Sequence, residues 1–432
     1  MKRIRVAYTL VALTLSGLSA YDLSLPAYGA DDQKSMSGAA IKLGFSAERL
    51  QRLSTGLDRK IAEKAWPGSV TLIARDGRLV HFEAHGTLDQ AGKTPMPTNA
   101  IFRIMSMTKP VVTVTAMALW EQGLFNLDDP VDKLLPELKV LKVVDPKSGE
   151  TVPLVRSITI YDLLRHVSGF TYAFAAQDPS RPEHVKTIAK EYTKVGIQTN
   201  ITPEEFLNRL AAIPLIQQPN TAFEYGVSTD VLGVLLERMT GKRLDRLVKE
   251  IVLDPLRMQD SGFEVPASKL TRLADAYDAD RMKSGLWSAV EPTRTDKAYS
   301  KASNGMFSTA SDYFRFAQML MNEGELDGVR ILSPKTIRFM TSDHIQGLGG
   351  STASVAGPGY GFGLGFAVRR QAGMAVVPGN PGDFNWPGIA GTSFTVDPKD
   401  RIVAVMMVQA PSNRIQARHF FKDMLYSSIV RD

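Results

Sequence analysis

Cysteine is absent from all 432 residues of the sequence. The chain therefore forms no disulfide bond, and the stability of its folded state must come from its core. Hydrophobic residues make up 44% of the composition. At this length, that fraction is enough for a sizeable core and for two lobes.

Long runs of lysine or arginine are also absent, although the formal net charge is +6. Residues 1–30 contribute +2 of this charge, so the rest of the chain carries +4. A positive charge this mild gives little support to nucleic-acid binding. Internal repeats and low-complexity segments do not stand out either.

Several motifs of catalysis and cofactor binding are missing as well. No Gly-x-Ser-x-Gly occurs, which excludes the nucleophile elbow of an α/β-hydrolase. The six histidines show no His-Glu-x-x-His or other metal-ligand spacing. No phosphate loop or dinucleotide fingerprint is evident. We therefore expect no metal site and no cofactor.

The N-terminal stretch "MKRIRVAYTLVALTLSGLSAYDLSLPAYGADDQ" has a basic start and an apolar segment from Val6 to Leu18. This pattern predicts a secretory signal over residues 1–30, with cleavage after Ala20 or Ala30. The apolar segment is shorter than the about 20 residues that a membrane span needs. We expect a Sec-type signal, export to the periplasm or the medium, and no stable membrane association. An uncleaved anchor is the alternative.

Hydrophobic patterns predict strands near both ends of the chain and helices between them. A hairpin is expected within 66–89, turning at Asp76-Gly77. Further strands are expected within 362–408, with a turn at 398–400. Predicted helices cover residues 110–122, 161–166, 203–212, 229–239, 311–322 and 414–429. This order predicts one sheet built from the two termini, with a helical lobe on it. The polar stretch 262–304 is predicted to be a long loop between the lobes.

Ser106 and Lys109 form a Ser-x-x-Lys motif at the start of an apolar helix. Side chains three residues apart share one helix face. Pro110 has no N–H group, which is tolerated if Ser106 lies near the helix start. Free backbone N–H groups there could stabilise an oxyanion. The alternative is a capping serine followed by a solvated lysine, because this motif alone is a weak signal.

A serine nucleophile needs a base to take its proton. Lys109 could be that base if its pKa fell by about three units from its usual 10.4. Burial between two lobes or a second cation could lower it. In the other alternative, Lys109 stays charged and stabilises a tyrosinate that acts as the base.

Two later stretches strengthen the prediction of a site. Tyr225 ends a short extended segment directly before an amphipathic helix, on a loop that could project into a cleft. In "DFNWPGIAGTSFTVDP", Gly388 and Gly391 open a strand at a point where a side chain would block close backbone approach.

These three stretches, in this order, resemble the serine β-lactamase and penicillin-binding-protein superfamily, and most of all its family VIII carboxylesterases. The segments "ITIYDLLRHVSGF" and "NGMFSTASDYFRFAQMLMNEGELDGVRILSPKTI" fit the same resemblance. It implies an α+β, β-lactamase-like fold: an antiparallel sheet flanked by N- and C-terminal helices, plus an inserted, mostly α-helical lobe. We expect residues 45–105 and 300–430 in the sheet lobe. Residues 106–299 would form the helical lobe with the nucleophile helix.

The resemblance also implies the role of each site residue. Ser106 would be the nucleophile and Lys109 its partner in proton transfer. Tyr225 would act as general base for Ser106 and as acid for the leaving group. The backbone N–H groups of Ser106 and Ile389 would form the oxyanion hole. Trp386 and Gly388 would contact the substrate.

Departures from β-lactamases point to a different substrate. Val227 takes the place of their Tyr-x-Asn asparagine, and Trp386 takes the place of the Lys-Thr-Gly lysine that binds the substrate carboxylate. The triplet Lys147-Ser148-Gly149 resembles Lys-Thr-Gly, but it lies before Tyr225 in a turn-like stretch, and we do not assign it to the site. Pro387 departs from the Trp-Gly-Gly that is typical of the esterases. His166 is expected to pack beneath the site.

These observations predict a serine carboxylesterase that cleaves small, short-chain esters through an acyl-enzyme. The alternatives are a β-lactamase or D-alanyl-D-alanine peptidase, an acyltransferase, and a non-catalytic penicillin-recognising binding protein. The sequence does not decide between water and another alcohol as acceptor of the acyl group. It does not indicate the oligomeric state.

Overall fold

The computed structural model describes residues 36, 38–89, 91–197, 199–277, 280, 300–350 and 352–431. The predicted signal over residues 1–30 and much of the predicted loop over 262–304 lie outside this part. Within it, no helix combines the length and the apolar character needed to span a membrane.

The sheet has seven antiparallel strands in the order β11-β12-β13-β14-β15-β1-β2. The N-terminal hairpin β1-β2 therefore pairs with the C-terminal strand β15, which confirms that both termini build one sheet. The strands of this sheet are β1 (Gly68–Arg75), β2 (Arg78–Gly86), β11 (Tyr360–Phe362), β12 (Ala367–Arg369), β13 (Phe384–Asn385), β14 (Ser393–Asp397) and β15 (Ile402–Val408).

Eight shorter strands form four separate pairs. They are β3 (Phe102–Arg103) with β7 (Phe307–Ser308), β4 (Lys142–Val144) with β5 (Thr151–Pro153), β6 (Ala222–Phe223) with β10 (Gly349–Gly350), and β8 (Glu325–Leu326) with β9 (Val329–Arg330). The β3-β7 pair positions the site, because it holds the segment before Ser106 against the segment after Ser303.

Helices fill the middle of the chain and cover the sheet. They are α1 (Ala47–Ala62), α2 (Thr108–Glu121), α3 (Ile160–Leu164), α4 (Glu183–Lys194), α5 (Pro203–Ala211), α6 (Ser228–Thr240), α7 (Leu244–Val248), α8 (Ala310–Met321), α9 (Pro334–Met340), α10 (Ala353–Ala356) and α11 (Arg414–Ser427). Short 3₁₀ helices cover Met105–Met107, Val131–Lys133, Pro136–Val140, Ala173–Gln177 and Ala267–Arg272, and a π-helical turn covers Lys249–Leu253. Each of the six predicted helices is present, and its ends agree within two residues.

The hairpin β1-β2 turns where the sequence predicted it. Asp76 and Gly77 have φ angles of 54° and 70°. A two-residue turn with both φ angles positive matches the twist of the flanking strands, and aspartate and glycine tolerate that backbone best.

Two buried clusters lie on opposite faces of the sheet. On one face, α1 and α11 pack Leu53, Leu57 and Phe421 against β1 and β15. On the other face, α8 and the central helices form a larger core around α2 and α6. The α+β architecture with terminal helices against an antiparallel sheet is therefore confirmed. The division into lobes at residues 106 and 299 stays a prediction.

Candidate active site

Ser106 lies in the 3₁₀ turn that leads directly into α2. Its neighbour Met105 is fully buried and has a φ angle of 49°, which a non-glycine residue adopts only at an energetic cost. Pro110 occupies the first turn of α2, where backbone N–H groups have no acceptor within the helix. The predicted position of Ser106 at a helix start is confirmed.

Two predicted residues, Tyr225 and Lys109, converge on the hydroxyl oxygen of a third, Ser106. The Tyr225 hydroxyl donates a hydrogen bond to Ser106 Oγ at 2.8 Å. Lys109 Nζ lies 3.2 Å from the same oxygen and donates to the Ser303 carbonyl at 2.9 Å. Ser106 and Tyr225 are 119 positions apart in the chain, so the fold brings them together.

The environment of Lys109 favours its neutral form. The residue is 1% exposed. Burial lowers the pKa of its amine to about 7, and the charge of Asp230 opposes this effect. A large share of Lys109 is therefore uncharged at neutral pH and has a lone pair available beside Ser106.

The pKa of Tyr225 shifts in the opposite direction, although burial favours the neutral form of this residue too. Burial raises its pKa above the usual value, while the hydrogen bond to Ser106 and then the nearby Trp386 indole oppose part of the rise. A tyrosinate is thus disfavoured here. Of the two alternatives that the sequence left open, the surroundings favour a neutral Lys109 as base and a protonated Tyr225 as donor.

Asp230 and Ser303 hold Lys109 in place, and sequence reasoning missed both. Ser303 donates its backbone N–H to Asp230 Oδ1 at 3.0 Å and accepts the Lys109 hydrogen bond on its carbonyl. Asp230 is 4% exposed, and burial raises its pKa. The position of Asp230, five residues after Tyr225, was the available signal, whereas the contact of Ser303 depends on the tertiary fold.

An aromatic cluster fixes the Tyr225 ring. The rings of His166, Tyr172 and Trp386 have centroids 5.1, 5.2 and 5.1 Å from it. Burial, followed by the charge of Lys109, holds the pKa of His166 well below its usual range. His166 is therefore a neutral packing residue beneath the site, as expected.

Trp386 is fully buried, so its indole presents no exposed face to solvent. Besides Tyr225 it contacts Phe362, at a ring distance of 5.1 Å. Its N–H makes no hydrogen bond of good geometry with the described residues, although it is close enough to influence the pKa of Tyr225. The unpaired donor beside Tyr225 is compatible with the predicted substrate contact, which stays a prediction.

The turn after Trp386 approaches the nucleophile closely. A Cβ atom at Gly388 would collide with the Ile104 carbonyl oxygen, so glycine is required for this approach. The Gly388 N–H donates to the Thr392 carbonyl at 2.8 Å, so it is already hydrogen-bonded within the protein. The Ile389 N–H has no acceptor among the described residues, as an oxyanion donor requires. The roles of Gly388 and Ile389 stay predictions.

The surroundings of Tyr225 also include apolar surface that sequence reasoning did not find. Phe174 stacks on Tyr172 at 5.2 Å and is 50% exposed. Val227 is fully buried directly before α6, so no amide occupies this position. Within the described ranges, no group of acidic or histidine side chains is arranged to hold a metal ion.

Comparisons with known proteins identify the family of the chain. The model of the Beta-lactamase family matches residues 57–422. Esterase EstB from Burkholderia gladioli is 31% identical over 376 residues, which cover 82% of this chain and 88% of EstB. Acyltransferase mokF from Monascus pilosus is 28% identical over 310 residues, 68% of this chain and 71% of that protein.

A solved structure shares the same fold. It is that of EstCE1, described as a hydrolase with promiscuous acyltransferase activity. It superposes with a TM-score of 0.72 at 27% identity and covers 88% of this chain and 99% of its own. The chain thus belongs to the Beta-lactamase family and is a serine hydrolase of the superfamily that unites serine β-lactamases and penicillin-binding proteins.

Proposed function

We propose that this protein is a serine carboxylesterase that cleaves small, short-chain esters through an acyl-enzyme on Ser106. The convergence of Tyr225 Oη and a buried Lys109 Nζ on Ser106 Oγ carries this proposal. A serine hydroxyl with a neutral amine 3.2 Å away has a base within hydrogen-bond distance of its proton.

In the first step, Lys109 takes the hydroxyl proton of Ser106 as Oγ attacks the ester carbonyl carbon. The hydrogen bond to Ser303 keeps the amine in position while it becomes an ammonium. Asp230 stabilises this new positive charge, because its carboxylate interacts electrostatically with Lys109. The N–H groups of Ser106 and Ile389 would receive the oxyanion.

Collapse of the tetrahedral intermediate requires a proton on the leaving alkoxide. Tyr225 is protonated and lies 2.8 Å from Oγ, so it can donate to the departing oxygen and recover a proton from Lys109. Water then attacks the acyl-enzyme, Lys109 takes a proton from this water, and Lys109 or Tyr225 donates a proton to Ser106 Oγ as the acid leaves. Proton transfer by positioned groups of this kind contributes about 10²- to 10⁴-fold to the rate.

The preference for a neutral ester rests on what surrounds Tyr225. Trp386 and Val227 replace the lysine and asparagine of β-lactamases, so neither of these two positions offers a cation to a substrate carboxylate. Phe174 and Tyr172 add apolar surface. A pocket of this composition favours an uncharged, apolar acyl or alcohol group.

A chromogenic panel tests the proposal. p-Nitrophenyl esters of rising chain length are compared with nitrocefin, and Ser106→Ala serves as the control for background hydrolysis. We expect the highest kcat/KM for short-chain esters and weak or absent turnover of nitrocefin. A kcat/KM for nitrocefin above that for p-nitrophenyl butyrate contradicts the esterase proposal.

Acyl transfer is a second candidate, supported by the similarity of the chain to the acyltransferase mokF and to EstCE1, a hydrolase with promiscuous acyltransferase activity. The acyl-enzyme is common to both reactions, and the acceptor decides between them. The ratio of new ester to free acid, measured with a short-chain alcohol added to the assay, separates the two. Predominant transfer at low alcohol concentration would favour an acyltransferase.

We also propose that residues 1–30 direct export through a Sec-type signal. The basic start and the short apolar segment support this proposal. N-terminal sequencing of protein recovered outside the cytoplasm should begin after Ala20 or Ala30. An intact Met1 in that fraction would favour the uncleaved anchor, and export that persists after deletion of residues 1–30 contradicts the proposal.

A further inference from the structure

A cavity of about 230 Å³ lies between helix α11 and the strands β13 and β14. Asn385 and Pro387 line it, whereas Trp386 between them contacts Tyr225 instead. Neighbours along an extended segment point to opposite sides. The cavity therefore lies behind the segment that carries Trp386, and Ser106 is not among its lining residues.

Arg418 lines this cavity and has no acidic partner in the described part of the chain. Its Nε donates to the Arg414 carbonyl one turn earlier, at 2.9 Å, and its terminal nitrogens make no hydrogen bond with the described residues. Burial, followed by the charge of Arg414, lowers the pKa of Arg418 to about 10. The guanidinium is thus charged at neutral pH, partly desolvated and unpaired, which is costly without a counter-ion.

Lys422, one turn later on α11, provides a contrast. Its amine donates to Tyr360 Oη at 3.0 Å and lies 3.3 Å from Asp383 Oδ2. Its charge is therefore compensated within the protein. Among the described residues that line the cavity, none is an aspartate or glutamate that could compensate Arg418.

Other polar side chains of the cavity also lack a hydrogen-bond partner among the described residues. The side chains of Asn385, Ser393 and Thr395 line it and make no hydrogen bond with the described residues. Apolar side chains, among them Val355 and Ile415, complete the lining. One unpaired cation, neutral hydrogen-bonding groups and apolar walls suit a monoanion with an apolar body.

We propose that this cavity binds a small aliphatic carboxylate, with its carboxylate on Arg418 and its alkyl chain against Val355 and Ile415. The volume limits the ligand, because pockets for drug-sized molecules begin at about 300 Å³. The single unpaired guanidinium favours a monoanion over phosphate or sulfate. This inference concerns binding alone, so it does not depend on the proposed esterase activity.

Isothermal titration calorimetry of the full chain with butyrate tests the inference, with butanamide as the uncharged analogue. We expect butyrate to bind and butanamide to bind at least about tenfold more weakly, as the loss of a hydrogen bond to a charged group implies. Arg418→Gln should weaken butyrate binding by about ten- to a hundredfold on the same grounds. Lys42→Gln, at an exposed lysine outside the cavity lining, is the control and should change the affinity by less than about threefold.

Thr395→Val provides a second variant from the opposite wall, in case Arg418→Gln disturbs the fold. It removes a hydroxyl of the lining without a change of charge, and we expect a loss of about two- to tenfold in butyrate affinity. The inference is overturned if butyrate gives no binding heat, if butanamide binds equally well, or if both variants bind like the wild type. Tighter binding of inorganic phosphate than of butyrate would overturn the choice of a carboxylate.

Discussion

Lys109 Nζ lies 3.2 Å from Ser106 Oγ, on a lysine that is 1% exposed. Ser106 lies in the 3₁₀ turn before α2 and Lys109 in the first turn of α2, three residues later, so their proximity follows from local geometry. The burial of the lysine follows from the Ser303 segment and from α6, which cover it. The spacing of the two residues places the Lys109 amine beside the Ser106 nucleophile. The burial of Lys109 lowers its pKa, so that the amine can accept a proton.

The rate should fall at acidic pH as Lys109 becomes protonated. Because its pKa is lowered to about 7, we expect kcat/KM for p-nitrophenyl butyrate to rise with pH through a midpoint near 7. Asp230→Asn keeps an oxygen for the Ser303 N–H but removes the charge that raises the pKa of Lys109. The midpoint should therefore move to lower pH in this variant. A midpoint near 10, or no shift in Asp230→Asn, would contradict the neutral lysine.

The same lysine should make stability depend on pH. Its pKa is about 7 when folded and near 10.5 when unfolded, so the unfolded chain binds one more proton between these values. The free energy of unfolding should then rise with pH by about 1.4 kcal/mol per pH unit across this window. Below pH 7, Lys109 is charged in both states, so the burial of its charge lowers the free energy of unfolding by the full amount. Urea unfolding at several pH values measures the slope.

Lys109→Met is the variant for this stability measurement. Its slope should be smaller than that of the wild type by about 1.4 kcal/mol per pH unit, because methionine does not titrate. Lys194→Met, at an exposed lysine on α4, is the control and should keep the wild-type slope. Equal slopes for the wild type and Lys109→Met would show that Lys109 titrates alike in the folded and unfolded chains.

Lys109 and Tyr225 should act as a unit, since both contact the oxygen that loses and regains the proton. We expect Lys109→Met and Tyr225→Phe each to cost about as much in kcat as the double variant, because groups on one proton path are strongly non-additive. Steady-state kinetics of the three variants provide the comparison. A double variant whose loss equals the product of the single losses would mean that the residues work independently.

Position 386 should control the choice between esters and β-lactams. Trp386→Lys places a cation beside Tyr225, and a charge-assisted hydrogen bond to a substrate carboxylate is worth about 1.5–3 kcal/mol. The ratio of nitrocefin to p-nitrophenyl butyrate turnover should rise by about tenfold or more. Trp386→Phe removes the indole N–H without adding charge and should leave the ratio low. An unchanged ratio in a folded Trp386→Lys protein would show that this position does not recognise the carboxylate.

The sequence was sufficient for those parts of the site that depend on local order. Ser106 and Lys109 are three residues apart on a helix, and the glycines at 388 and 391 signal close backbone approach. The role of Tyr225 came from the resemblance, and the fold places its hydroxyl on Ser106 Oγ. Sequence could not predict that Ser303 accepts the lysine hydrogen bond, because 194 positions separate the two.

The surroundings of Trp386 show a different limit. The sequence has an indole where β-lactamases have lysine, which suggested a contact with a neutral, apolar substrate. In the fold the ring is buried between Tyr225 and Phe362, so burial of apolar surface decided its position. The exposed aromatic surface near the site comes from Phe174, in a turn that no sequence pattern distinguished.

Peptide mass spectrometry after treatment with a p-nitrophenyl phosphonate tests the central claim most directly. We predict one phosphonyl adduct, on Ser106, formed in step with the complete loss of esterase activity. Ser106→Ala should fold, remain inactive and take up no phosphonate. An adduct on another residue, or full esterase activity in Ser106→Ala, would contradict the acyl-enzyme account.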